Sequence, residues 1–314
     1  MGDKLENNEN VIEIEYKEKD FLELQDILNR YKEKCSELIE HNDLMFRITI
    51  LENSIKKSIH IKNIDFEYLS RLHELKSIYF FSKLGSLNVS NDYKHEPGPD
   101  LLFNTINIEC VTANVGSNSN YKKLKESGFE KYSPEIVDYT EKSRQMILRF
   151  TTALKAKVDQ YRCVWKNEYQ PFCIFLHLGR FTLQYNCGEY LEEMNRFLIG
   201  KGSLTLTYDS RLNKFVAAHY QQDEYIRNNN SADVVVNFFS DEKNKIVSAV
   251  IISSAYYTDD YDLDNTVVFT NYNAINMIDT ECFKNFIIWT TNDVGEYIPT
   301  RNGEQLKLKD IKIF

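Results

Sequence analysis

The stretch PFCIFLHLG, residues 171–179, is a continuous apolar run of strand length, broken only by His177 near its end. A strand with no polar face belongs in the interior of a sheet that is covered on both sides. Helical patterns stand before and after it. Residues 21–39 repeat apolar side chains at helical spacing (Phe21, Leu24, Ile27, Leu28, Tyr31, Cys35) among Glu and Lys, which predicts an amphipathic helix. A second helical or mixed piece covers 44–59. Asp65 reads as the cap of a helix running to Leu84, with Gly85 as its stop. Two short strands follow, 100–103 and 107–113, joined by a polar turn around Asn104.

The loop VGSNSN starts at Val115, and Ser133-Pro134 opens a long helix that continues to about Tyr161. Beyond the apolar strand come a helix over 189–198 and strands over 203–208, 233–239, 245–254 and 266–270. This alternation predicts a mixed α/β protein, with helices flanking the sheet. The acidic run YYTDDYDLD, 256–264, reads as a solvated hairpin loop.

Composition narrows the function classes. At 314 residues the chain can bury a sizeable core, and 13% aromatic content argues against disorder. A net charge of -9 counts mildly against a general nucleic-acid coat, although a local basic groove can sit on an acidic body. Six scattered cysteines without a CxxC pair point to free thiols in a reducing, cytoplasmic setting, and lack the spacing of a zinc site. The polar start MGDKLENNEN is unlike a signal peptide. The longest apolar run, from Ile246, is too short to span a bilayer, so no membrane partner is expected. No nucleophile elbow, Walker loop or dinucleotide glycine pattern occurs.

The chemistry-bearing stretch is HEPGPDLLFNTINIECVTA, residues 95–113. Asp100 and Glu109 sit on neighbouring predicted strands, where two carboxylates supply hard oxygen ligands for a divalent cation if they project to one side. Glu109 interrupts an apolar strand, and a carboxylate among buried residues needs a partner or a metal. Residue 111 shares the face of Glu109. A lysine there would stand beside a metal, but the position holds Val111. The helix segment LRFTTALKAK offers a substitute. At about 100° per residue, Arg149, Thr152, Ala153, Ala156, Lys157 and Gln160 share one broad face, with Lys155 roughly opposite. Residue by residue, plainer roles compete: Glu74 as solvated surface, Pro99-Asp100 as a turn, His73 and His177 as core histidines, and His95 as a possible phosphate contact without a firm argument.

In order, SRLHELKSIYFFSKLG, GPDLLF with IECVTA, LRFTTALKAK and PFCIFLHLG resemble the PD-(D/E)xK, or restriction-endonuclease-like, nuclease superfamily. The resemblance is to bacterial and phage members whose motif lysine has moved to the following helix, and it spans roughly residues 65–275. It implies a restriction-endonuclease-like mixed sheet flanked by helices over 63–314, preceded by an N-terminal helical extension over 1–62. It further implies Mg²⁺ or Mn²⁺ held by Glu74, Asp100, Glu109 and the carbonyl of Cys110. Lys157 replaces the strand lysine, and Arg149 binds phosphate. The implied partner is nucleic acid, DNA ahead of RNA, with the N-terminal helices open to a protein partner. Two functions stay open: a metal-dependent nuclease, or a catalytically inactive nuclease scaffold that serves as an interaction module.

Overall fold

The computed structural model describes residues 18–36, 49–50, 53, 66–89, 98–113, 139–164, 170–177, 187–222, 225–227, 233–255, 259–292 and 296–306. Asp65, His95, the 115–120 loop, Ser133-Pro134 and most of 44–59 lie outside the described residues. Among the described residues the helices are α1 (Glu18–Ser36), α2 (Phe66–Ser82), α3 (Tyr139–Val164) and α4 (Cys187–Ile199).

The main sheet has nine strands: β1 (Leu87–Val89), β2 (Leu101–Phe103), β3 (Ile106–Thr112), β4 (Phe172–His177), β9 (Ala249–Ser253), β10 (Thr266–Thr270), β11 (Ile287–Thr291), β12 (Tyr297–Arg301) and β13 (Glu304–Gln305), hydrogen-bonded in that order. β1, β2 and β3 form an antiparallel meander. β4 runs parallel to both β3 and β9, and every one of its residues is buried, as its apolar run predicts. Two ribbons stand apart: β5 (Lys201–Asp209) with β6 (Lys214–Gln222), and β7 (Tyr225–Arg227) with β8 (Asp233–Val235). The strand expected over 233–239 stops at Val235. Asn237 then takes a left-handed φ of 64°, and a 3-10 turn begins at Phe238.

Alternation along the strands divides the core into two layers. On one face Ile106, Ile108, Cys173, Phe175, Ala249 and Ile251 meet α1 and α2. On the other, Val111, Ala113, Phe172, Ile174, Leu176, Val250 and Ile252 meet α3 and α4. The fold is thus a mixed α/β sheet flanked by helices. α1, the helix read as part of an N-terminal extension, places Ile27, Leu28, Tyr31 and Cys35 in the same cluster as α2 and the sheet.

The turn between β2 and β3 needs Asn104, whose φ of 52° is left-handed. Gly85 acts by close approach: a Cβ there would sit 2.9 Å from the Asn104 Oδ1 and the Phe103 ring, so a larger residue would push α2 away from this turn.

The acidic segment after β9 is more than a solvated loop. Tyr261 is buried, and its hydroxyl donates to Nδ1 of His73 at 2.7 Å. His73 Nε2–H donates to the Phe175 carbonyl at 2.8 Å, which fixes a neutral tautomer. His177 stacks on His73 at 5.3 Å, and its Nε2 lies 3.2 Å from the Ala255 carbonyl. Both histidines therefore fill structural roles. Asp260 accepts from Tyr31 at 2.5 Å and from Lys34, fastening α1 to the β9–β10 turn. Lys76, 2% exposed, lies with its amine 4.3 Å from the centre of the Tyr261 ring, and burial pulls it down to about 7. Cys35, Cys110, Cys173 and Cys282 are free thiols. No helix among the described residues is long and apolar enough to cross a membrane.

Phe175, fully buried against His73, Phe81 and Tyr261, anchors this layer. Phe175→Ala is expected to destabilise the fold by about 3–5 kcal/mol in denaturant titration. Burial depresses His73 to about 3 and holds His177 well below 6.5. The unfolded chain binds these protons below 6.5 and the folded chain does not. The stability they allow is complete above 6.5 and falls as pH drops toward 3. Denaturation curves between pH 7 and 5 should show a loss of up to about 1.4 kcal/mol per pH unit for each histidine.

Candidate active site

β2 begins one residue after Asp100, and its pairing of Leu101 with Ile108 places Asp100 opposite Glu109. The odd-numbered amides of β3 point toward β4: Asn107 N–H reaches the Pro171 carbonyl and Ala113 N–H the His177 carbonyl. The even-numbered amides point toward β2, and Cys110 N–H lies at the strand's end. Asp100 supplies the missing acceptor, its Oδ2 taking Cys110 N–H at 2.8 Å. The carboxylate of Asp100 continues the ladder where the backbone of β2 has not yet begun.

Glu109 is 4% exposed and projects toward α3. The Lys157 ammonium meets its Oε1 at 2.5 Å, and the Tyr161 hydroxyl lies 2.6 Å from its Oε2. A buried carboxylate keeps its charge only when paired and hydrogen-bonded, and here both oxygens have a donor. Burial alone would pull Lys157 down. The Glu109 charge and hydrogen bond, with Asp100 adding, outweigh it and hold Lys157 above its ordinary 10.5. Burial and the same carboxylate push the Tyr161 phenol up, so it stays protonated as a donor.

The expected helix face needs adjustment. The side of α3 turned to the sheet carries Ile147, Phe150, Leu154, Val158 and Tyr161, while Thr152, Ala156 and Gln160 are exposed. Lys157 lies on the border of the buried stripe and reaches inward from there. Tyr161, one turn further on, was missed by sequence reasoning. Its signal was the i, i+4 spacing from Lys157, which puts both side chains on adjacent turns of one face. Val111, where a lysine was sought, is 7% exposed and packs in the α3-side core.

Arg149 lies eight residues before Lys157, about 12 Å along the helix axis. Its Nε is buried without a hydrogen-bond partner among the described residues, and no described contact joins it to the carboxylates. Glu74 is 6% exposed rather than solvated, and accepts from Arg71 at 3.1 Å. Its helix, α2, packs on the sheet face opposite Glu109. Cys110 lies between the two sides. Burial pushes its thiol well above the ordinary range, the Asp100 charge adds to this, a Ser77 hydrogen bond works against it, and Glu74 and Glu109 contribute further upward.

The structure thus joins Asp100, Glu109 and Lys157, and leaves Glu74 on the far side of β3. Among the described residues no three His, Cys, Asp or Glu side chains gather into a metal-holding group. The donor set consists of the Asp100–Glu109 pair and the neighbouring Cys110 carbonyl. These are hard oxygens of the kind Mg²⁺ or Mn²⁺ takes, and each Glu109 oxygen retains a lone pair beyond its present donor. No protein-family model matches the chain, and comparison with curated proteins and with solved structures finds no match.

Removing Lys157 leaves Glu109 charged and short of a partner. Lys157→Met is expected to destabilise the fold by about 1–3 kcal/mol, less than for a fully enclosed pair because the lysine side chain is 29% exposed. Adding Glu109→Gln should recover part of that loss. Because the folded lysine titrates above 10.5, its contribution is complete below that pH and is lost as pH rises through the folded value. The stability gap between parent and Lys157→Met should therefore be flat up to pH 10.5 and narrow above it.

Proposed function

We propose that this chain is a metal-dependent nuclease of the PD-(D/E)xK type, hydrolysing nucleic-acid phosphodiesters with a lysine supplied by a helix. The observation that carries this reading is the contact of Lys157, on α3, with Glu109, across the sheet from Asp100. The order helix, three antiparallel strands, helix, parallel strand, with α2 and α3 on opposite faces, supports it as the architecture that the resemblance implies.

In this reading Asp100, Glu109 and the Cys110 carbonyl hold Mg²⁺ or Mn²⁺. Such an ion polarises the phosphoryl oxygen and lowers the pKa of a bound water. Lys157 already points its ammonium at the carboxylate pair, and from there it stabilises charge that develops on the phosphate. Tyr161 donates to Glu109 and keeps that carboxylate turned toward the pair. DNA is the preferred substrate over RNA, with Arg149 as a further phosphate ligand.

The second reading, an inactive nuclease scaffold that binds protein or nucleic acid, is favoured by one feature: each Glu109 oxygen already meets a donor from the protein, Lys157 or Tyr161. Incubation of the full chain with single- and double-stranded DNA and RNA separates the two. Cleavage should require Mg²⁺ or Mn²⁺ and be abolished in Asp100→Ala and Glu109→Ala, with circular dichroism showing both variants folded. Lys157→Ala should slow it by about 10²–10³-fold. Undiminished cleavage by both carboxylate variants would falsify the site assignment. A parent that cuts nothing and gives no calorimetric response to either ion supports the scaffold reading.

A further inference from the structure

We infer that Tyr161 is a positioning residue that holds the Asp100 and Glu109 carboxylates together as a pair. Its hydroxyl lies 2.6 Å from Glu109 Oε2 on β3 and 2.7 Å from the carbonyl of Gly98, two residues before Asp100. One phenol thus faces an acceptor on each of the two segments that carry the acids, and its single proton is shared between them. The ring, on α3, packs against Phe172 of the fully buried β4 with centroids 4.9 Å apart, which holds the hydroxyl in place.

β2 hydrogen-bonds to β3 from Leu101 onward. Upstream of that point the Asp100 carboxylate takes Cys110 N–H and the Tyr161 hydroxyl meets the Gly98 carbonyl. Lys157 touches Glu109 alone, so it sets charge but does not bridge the two segments. Without the Tyr161 hydroxyl, Glu109 loses one donor and the Gly98–Asp100 segment loses a hydrogen bond to α3. Asp100 then swings more freely, and the amide it caps is opened to water. The use of this geometry for a cation rests on the proposed nuclease function, whereas the positioning itself does not.

Tyr161→Phe in the full chain tests this, because it keeps the ring and removes only the oxygen. Amide hydrogen exchange is the deciding measurement. Cys110 N–H, capped by Asp100, should exchange at least about tenfold faster in Tyr161→Phe. Ala113 N–H on the same strand is bonded to His177 on the β4 side, and it should be unchanged. Lys157→Met, which removes the ion pair and spares the phenol, should leave Cys110 protected. Unchanged exchange at Cys110, equal acceleration at Ala113, equal acceleration in Lys157→Met, or a Tyr161→Phe chain that does not fold would each overturn the inference. Mn²⁺ calorimetry adds the link to function: the parent should bind, and Tyr161→Phe should bind about tenfold more weakly. Equal Mn²⁺ affinity in the two proteins overturns the pairing role at the cation. A parent that binds no Mn²⁺ overturns the proposed nuclease function, while the exchange data still decide the positioning.

Discussion

A carboxylate embedded in a sheet strand is the constraint around which this molecule is arranged. Glu109 sits between Ile108 and Cys110 on β3, with a covered sheet face on either side. Its charge has no access to bulk water, so the helix that covers that face has to bring compensation. α3 brings it from two successive turns, a cation from Lys157 and a neutral donor from Tyr161. That requirement fixes the rotation of α3 as firmly as its apolar stripe does. A rotation that buried Lys157 more deeply would desolvate the ammonium, and one that exposed it would strand the carboxylate.

The two faces of the sheet handle polarity differently. On the α3 side the buried Glu109 is paired with Lys157 and Tyr161. On the α1–α2 side the histidines are neutral, each with a carbonyl partner, and Tyr261 links His73 to the acidic turn. Cys110 is the residue that feels both. Its thiol faces the neutral layer, while its amide is held by Asp100 at the edge of the charged one. The end of β3 is therefore the place where the two halves of the protein meet electrostatically.

Much of this was legible in the sequence, and the parts that were not have physical reasons. β4 announced itself because a strand buried on both faces has no polar residue to disguise it, and the Asn104 turn because few other residues accept its φ. The link between Glu109 and Lys157 followed from charge: an acid in an apolar strand needs a partner, and Val111 denied it a local one. Tyr161 was invisible as a site residue because an aromatic on the buried stripe of a helix reads as core, which it also is. Glu74 was read with the metal site, and its helix packs on the sheet face opposite Glu109, which spacing along a helix does not specify. β1, β7 and β11 through β13 were overlooked since short strands with mixed polarity resemble loops until a neighbouring strand is in place, and the longer β6 mixes charged, polar and apolar side chains. The acidic turn looked solvated because Tyr261, which is buried, is flanked by aspartates.

That turn has a consequence for the order in which the chain can assemble. Tyr31 of α1 bonds to Asp260, 229 positions later in the chain. During synthesis from the N-terminus, α1 emerges before α2 and the sheet against which its apolar face packs. Its polar fastening does not exist until the segment beyond β9 has left the ribosome. Contacts of such long separation form late, after loop closure has been achieved by more local pairings. α1, which precedes the other described helices in the chain, is thus secured only after the segment beyond β9 has been made.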